Sequence, residues 1–437
     1  MNISIINNPT QIIIAVLMVL FVLANAVSPL FGWLAIVVLL AFVIWNDKTE
    51  NLYISFFLIP NIRILDSLGS TIYVNLLLMA IGFLYILFNM TVSRNGLLFV
   101  LAIAVFSMIH LFESTYSLDN IIPLLNLIFD ALLVAVLIYI RPNKLQCTRA
   151  AVYLSVGAVF SLISFCLIHR EVINEVLQTN YRLAGYGDDP NYFSIYVLIG
   201  ISFALSALPK SSGKSMILLY VALLTILGLL TSSKMYFLCL AFMFLLYVYD
   251  TVINSRVRKT APLLIVLFSI LLAGLFQIDS VSALFSKVIG RFTDINSSAN
   301  LFDIDSITTG RITLIREYCA AAVQDPFSLL LGRGINYPLY YSDIIGDYRV
   351  VHNTYLDMLL SWGLIGTATI LYFLFRLMRG CLVFKGKNLT DGIPAIIFFT
   401  TLLSLSCLTA DMFLYILLLV LLPFKKGEHE VTNESFS

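Results

Sequence analysis

Charge is what this chain has least of. Charged side chains make up 12% of its 437 residues, where a soluble globular domain carries roughly 25%. That deficit sets aside the two or three soluble domains that length alone would suggest. The formal net charge of +1 leaves no basic excess for nucleic acid. The six cysteines include no C-x-x-C spacing, so neither a zinc site nor a disulfide framework is indicated. Cys166, Cys239 and Cys407 fall in apolar runs, Cys147 and Cys381 lie beside basic loops, and Cys319 is alone in a long loop. No D-D-x-x-D cluster, paired acidic ligands or Walker loop occurs, so metal-bound phosphate chemistry is not indicated. No internal repeat is visible, and inverted repeats would mark many transporters. The first apolar run has no basic leader and no small-residue cleavage site. It reads as a retained membrane helix rather than a signal peptide.

What the chain has in quantity is apolar runs, with 60% hydrophobic residues. About 20 apolar residues cross a hydrocarbon core as a helix. Runs near 10–27, 31–45, 51–65, 70–90, 96–113, 120–141, 147–169, 191–208, 214–231, 234–250, 261–277, 353–379, 391–408 and 410–424 qualify. The expectation is an all-α polytopic membrane protein of about 14 spans, by that length criterion. The run at 51–65 is weakened by Pro60 and Arg63, and the last two could be one bent helix around Asp411.

With the N-terminus placed in the cytoplasm, 16 of the 26 Lys and Arg residues fall in loops on the cytoplasmic side. Arg141, Lys144 and Arg149 crowd one such loop, and Arg256, Arg258 and Lys259 another. The short loops on the opposite side carry almost none, which is the positive-inside bias. The chain then divides into N-terminal spans at 1–169, an outer loop at 170–190 and further spans at 191–277. A large outer loop follows at 278–352, then C-terminal spans at 353–424 and a cytoplasmic tail at 425–437. Both termini are expected in the cytoplasm.

Two outer segments carry the polar chemistry. The first reads Y-R-L-A-G-Y-G-D-D-P-N-Y at 181–192. Gly185 and Gly187 allow an irregular backbone. Asp189-Pro190-Asn191 is a helix-start signal, with Asp189 as cap and Pro190 at the first helical position. Arg182 is thus held on a loop just above the membrane. Taken alone, it reads better as an arginine reaching the lipid head groups.

In the long loop, Thr308-Thr309-Gly310 precede a periodic run that puts Ile312, Ile315, Tyr318, Cys319 and Ala322 on one side. This predicts an amphipathic surface helix stopped at Asp325-Pro326. Arg311 opens it, with Arg316 and Glu317 on its polar face. A tight turn at Gly332-Arg333-Gly334 leads into a stretch with Tyr337, Tyr340, Tyr341 and Tyr348 among Asp343, Asp347 and Arg349. Tyrosines with carboxylates suit sugars, but tyrosines also belong at membrane interfaces.

His352 and Asn353 stand where this loop becomes the helical run to Gly366. Only four histidines occur, and His352 is the one in a setting that suggests a base near neutral pH. It could equally be an interfacial histidine at a helix entrance. Asp357 shares a helix face with Asn353. A carboxylate one turn into the membrane is usually paired or functional, and here would orient Asn353 or His352.

Three segments together resemble the O-antigen ligase and polymerase superfamily, the Wzy/WaaL type of bacterial glycosyltransferase. They are R-L-A-G-Y-G-D-D-P-N at 182–191, T-G-R-I-T-L-I-R-E-Y with D-P-F-S-L-L-L-G-R-G at 309–334, and H-N-T-Y-L-D-M-L-L-S-W-G-L-I-G at 352–366. The resemblance implies a GT-C-like fold and metal-independent, cofactor-free transfer. The implied substrates are undecaprenyl-diphosphate-linked repeat units, used at the outer face of the inner membrane among its lipids. It assigns Arg182, Arg311 and His352 as catalytic, the arginines on the donor diphosphate and His352 at the acceptor hydroxyl. Gly185, Asn191, Arg316, Arg333, Asn353 and Asp357 are the expected substrate-binding residues. A chain-length regulator and a flippase are the expected partner proteins. Polymerase is the preferred activity, with ligase the rival in the same class and a lipid-linked oligosaccharide flippase the rival in another.

Overall fold

The computed structural model describes residues 9–45, 48–68, 94–109, 118–140, 144–178, 182–187, 189–208, 213–253, 311–346, 350–378 and 392–405. The spans expected at 70–90, 261–277 and 410–424, the loop from 278 to 310, and the tail lie outside the described residues. Among the described residues the regular structure is helical, with no strand.

Helices α1 (Pro9–Ala26), α2 (Leu30–Trp45) and α3 (Lys48–Leu58) open the chain. Then come α4 (Arg94–Met108), α5 (Leu118–Ile140), α6 (Lys144–Ile168) and the short α7 (Arg170–Gln178). Helices α8 (Pro190–Ala207), α9 (Lys214–Leu229) and α10 (Lys234–Ile253) follow. The C-terminal part contains α11 (Arg311–Gln324), α12 (Pro326–Leu331), α13 (Tyr337–Ile345), α14 (Thr354–Met378) and α15 (Ile393–Thr401). Among the described residues, four stretches are long and apolar enough to cross a membrane: Pro9–Ala26, Leu145–Ile168, Pro190–Ala207 and Thr354–Arg376.

Helix α8 is the centre of the bundle. Every residue from Phe193 to Ser206 is buried, because α6, α9, α10 and α15 all pack against it. A helix apolar on all sides needs such enclosure. Its position fixes its N-terminal residues, Pro190 and Asn191, at one end of the bundle.

Two expected spans are not single helices. The run at 51–65 stops being α-helical at Leu58, and Ile59–Asn61 tightens into a 3₁₀ turn with Pro60 near its start. Eleven helical residues reach only about 16 Å, short of the roughly 30 Å hydrocarbon core. The Asn61 side-chain amide donates to the carbonyls of Phe57 (3.0 Å) and Gly157 (3.1 Å), tying this tip to α6. Arg63 therefore lies in the turn beyond α3 and not inside a span.

The run at 353–379 is broken at Gly363, whose φ is 65°. A Cβ there would stand 2.4 Å from the Gly332 nitrogen and the Leu330 carbonyl oxygen. Gly332 also has positive φ, 78°. Glycine at both positions lets the two backbones touch. The break is thus made by the outer loop pressing on α14. Arg333 N–H donates to the Leu360 carbonyl (2.9 Å) and Gly334 N–H to that of Ser361 (2.8 Å). The Trp362 indole donates to Ser107 Oγ of α4 (2.9 Å), which holds the broken turn from the other side.

The surface helix expected after Thr308 is present as α11, with a different buried stripe. Leu314, Tyr318, Ala321 and Ala322 are buried, while Ile312 is 42% exposed and Cys319 is exposed. The partner of this stripe is α13. Tyr318 packs edge-on against Tyr337 and Tyr341, and these rings form a small second core with Val351 and Leu360. Two of the four tyrosines considered for sugar recognition are therefore core residues. Helix α11 stops at Asp325, whose carboxylate accepts from Ser328 N–H and so caps α12.

Candidate active site

The Asp189-Pro190-Asn191 start signal folds as read. Asp189 accepts from Asn191 N–H (2.5 Å) and Pro190 is the first residue of α8. Asn191 then turns its side chain to Arg182. Its Oδ1 accepts from the Arg182 guanidinium (2.6 Å) and from Ser233 Oγ (2.8 Å). Arg182 Nε donates to the Thr231 carbonyl (3.3 Å). Gly185 has φ +63°, and a Cβ on it would sit 2.6 Å from Ser161 Oγ. Glycine is required here to seat the 182–187 loop on α6. Tyr186 N–H donates to that same hydroxyl (2.8 Å).

Arg311 opens α11 and donates to the Ser404 carbonyl (2.6 Å). Burial lowers its pKa from the ordinary value, while Asp189 and Tyr192 act electrostatically to raise it. A guanidinium remains charged throughout the physiological range. Arg311 thus feels the charge of Asp189, the residue that caps α8.

The third segment joins through the turn after α15. Asn353 caps α14, its Oδ1 accepting from Leu356 N–H (3.0 Å), and its amide donates to the Leu403 carbonyl (3.1 Å). Leu403 adjoins the Ser404 that receives Arg311. Thr354 N–H donates to the Leu402 carbonyl (2.9 Å). His352, next to this cap, is half-buried and has φ +52°. Such a left-handed conformation is strained for a residue with a Cβ.

Asp357 N–H donates to the Asn353 carbonyl (2.8 Å) within the first turn of α14. It is 4% exposed, and its carboxylate takes a hydrogen bond from the buried Tyr337 phenol, whose pKa burial pushes well up. Tyr337 in turn accepts from Val351 N–H (3.4 Å), the residue before His352. Asp357 thus reaches the His352 loop through Tyr337.

Arg333 has partners of its own. Its guanidinium pairs with Asp325 (2.5 Å), donates to the Tyr340 hydroxyl (2.8 Å) and covers the Tyr340 ring at 3.8 Å. Arg316 is exposed on α11. Among the described residues, no group of three His, Cys, Asp or Glu converges as a metal site would.

The turn from Thr231 to Lys234 was not singled out in the sequence. It supplies two of the contacts that hold Arg182 and Asn191, and Ser233 caps α10 by accepting from Tyr236 N–H (3.4 Å). Its signal was T-S-S-K between two apolar runs, a Ser/Thr cap with a cation in the first helical position. Helices α8, α10, α11 and α14 therefore bring their N-termini to one end of the bundle. Lys234 and Arg311 are the first residues of two of them, with no acid in either first turn. Helix N-termini carry partial positive charge, so cations there gain from an anion placed among them.

These features define a membrane protein that is helical throughout its described residues. More particularly, residues 219–371 match the family model described as O-antigen ligase. That match supports the O-antigen polymerase/ligase superfamily, and the matched stretch contains Arg311 and His352. Neither the curated proteins nor the solved structures give a match.

Proposed function

We propose that the chain is a surface-polysaccharide polymerase of the O-antigen type. It moves a growing undecaprenyl-diphosphate-linked glycan onto a new lipid-linked repeat unit at the outer face of the inner membrane. Supporting this reading, Arg182 is hydrogen-bonded to Asn191 at the start of α8, Arg311 feels the charge of Asp189 that caps the same helix, and Arg311 and Asn353, the neighbour of His352, donate to the adjacent carbonyls of Ser404 and Leu403. The family match supports glycosyl transfer with lipid-linked glycans.

In this reading Arg182 and Arg311 hold the donor diphosphate, each already oriented by hydrogen bonds. The acceptor hydroxyl oxygen attacks the anomeric carbon as the bond from that carbon to the diphosphate oxygen breaks. The configuration inverts, the electron pair stays on the diphosphate, and the hydroxyl proton goes to His352. Preplaced positive charge lowers the barrier by stabilising the developing diphosphate. No metal is needed for that step. Asn191 positions Arg182, and Asn353, Asp357 and Gly185 fix the loops. Arg316 is placed to meet glycan or lipid at the surface, and Arg333 shapes the outer loop. A chain-length regulator and a flippase would act beside it.

The alternative is a ligase transferring to a phosphorylated lipid A core, and the description of the matching family favours it. Against it stands the described segment 311–346, whose basic residues are Arg311, Arg316 and Arg333. With Arg333 paired to Asp325, this segment offers no strongly basic dock for a phosphorylated acceptor.

The test is complementation of a strain lacking this chain. Arg182→Ala, Arg311→Ala and His352→Ala should each abolish the polysaccharide ladder while the protein remains in the membrane. The deletion should leave surface glycan capped by a single repeat unit. Bare core with polymer accumulating on lipid would identify a ligase.

A further inference from the structure

A cavity of about 480 Å³ opens beside Arg182. It lies between the end of α1, the turn after α3, the end of α6 and the 182–187 loop. That volume is within the roughly 300–1,000 Å³ of small-ligand sites. Arg182 itself lines it, together with Asn25, Arg63, Asp66, Phe165, His169 and Tyr186.

Its chemistry is mixed. Arg63 and Asp66 bring both signs of charge, and His169 can donate and accept. The Asn25 amide N–H groups are spent on the Phe21 and Ile64 carbonyls, both at 2.9 Å, so its side-chain oxygen is left as an acceptor. Phe165 and Tyr186 meet edge-on with centroids 5.3 Å apart, and the His169 ring lies 4.7 Å from Phe165. Tyr186 is buried, and its hydroxyl makes no hydrogen bond among the described residues. The Arg63 N–H donates to the Tyr186 carbonyl (3.0 Å), so the α3 turn and the Arg182 loop form one continuous wall.

Beyond Arg182, the wall offers more than positive charge. Donors and acceptors of both kinds around an aromatic wall match a pyranose, with hydroxyls at its edge and C–H bonds on its face. We propose that this cavity is a glycan subsite, holding a non-reacting sugar of a lipid-linked repeat unit next to the Arg182 end of the diphosphate site. This rests on the polymerase/ligase reading given above. The site thereby reads sugar identity through residues of the N-terminal half, outside the 219–371 stretch that the family shares.

The experiment uses the purified full chain in detergent and three probes. These are lipid-linked repeat units extracted from the deletion strain, undecaprenyl diphosphate without sugar, and inorganic pyrophosphate. Asp66→Asn, His169→Gln and Phe165→Leu keep size and lie at the cavity rim or wall. Each should weaken the glycan-bearing lipid about tenfold, through one lost hydrogen bond in Asp66→Asn and His169→Gln and through lost ring contact in Phe165→Leu. Affinity for the two sugar-free probes should be unchanged. If wild type binds all three probes and the variants match it on each, the subsite is overturned and the functional reading stands. Loss of pyrophosphate affinity in His169→Gln overturns it in favour of an anion site. If wild type binds none of the probes, the functional reading falls and takes the subsite with it.

Discussion

Tyr337→Phe is the sharpest perturbation of the His352 loop. The side chain is 1% exposed, so the ring keeps its packing and only the hydroxyl is lost. Two interactions go with it: the bond to the Asp357 carboxylate and the one accepted from Val351 N–H. A hydrogen bond to a charged group contributes roughly 1.5–3 kcal/mol. The left-handed conformation of His352 stores roughly 1–2 kcal/mol, which relaxation of the loop would release. If the loss of about 1.5–3 kcal/mol is felt at the position of His352, turnover falls about ten- to hundredfold. The assay is chain extension by the purified protein with extracted lipid-linked repeat units. Donor KM should change little, because the two arginines are untouched. In a double-mutant cycle, adding Tyr337→Phe to His352→Ala should cost almost nothing further, since the two act as one unit. Wild-type turnover in Tyr337→Phe, or additive losses in the double variant, would refute the claim that Tyr337 acts through His352.

Gly363→Ala should prevent accumulation of folded protein, because its Cβ meets the Gly332 nitrogen and Leu330 oxygen at 2.4 Å. Gly346→Ala is the control. Its φ is also positive, but nothing lies near the added carbon, so about 1 kcal/mol of strain is expected and membrane levels by immunoblot should stay near normal. Asn191→Asp keeps shape and adds a negative charge against Arg182. It should lower affinity for undecaprenyl diphosphate while leaving thermal unfolding of the detergent-solubilised protein unchanged. Asp325 is held below the ordinary carboxylate range, first by the Ser328 hydroxyl and then by Arg333. Its stabilisation is therefore complete above the unfolded value of about 4 and is lost as pH falls through the depressed folded value. Asp325→Asn should unfold at lower temperature than wild type at pH 7, with the gap narrowing only below about pH 4.

The parts of this molecule legible in its sequence are those set by local chemistry. Asp189-Pro190 announces the start of α8 because capping involves neighbouring residues only. Apolar runs announce α1, α2, α6, α8 and α9 because burial of a whole helix needs no partner to be recognised. What depended on distant partners was not legible. The break at Gly363 is imposed by Gly332 from a different segment, and the run itself gives no stop signal. On α11 the periodicity pointed to a stripe with Ile312 and Cys319, whereas packing against the tyrosines of α13 buries Leu314 and Ala321 instead. Asp357 was seen to need a partner, but Tyr337 comes from twenty residues earlier. The Thr231–Lys234 turn carried no glycine and only one charge, so its hold on Arg182 and Asn191 became visible only in three dimensions.

The central claim is that Arg182 and Arg311 share one diphosphate. Its most direct test is the affinity of the purified full chain for undecaprenyl diphosphate in wild type, Arg182→Ala, Arg311→Ala and the double variant. Each single change should cost tenfold or more, from roughly 1.5–3 kcal/mol per charge-assisted hydrogen bond. The double variant should lose less than the sum of the two, as coupled contacts to one ligand do. Wild-type affinity in either single variant, with the protein folded, would contradict the account.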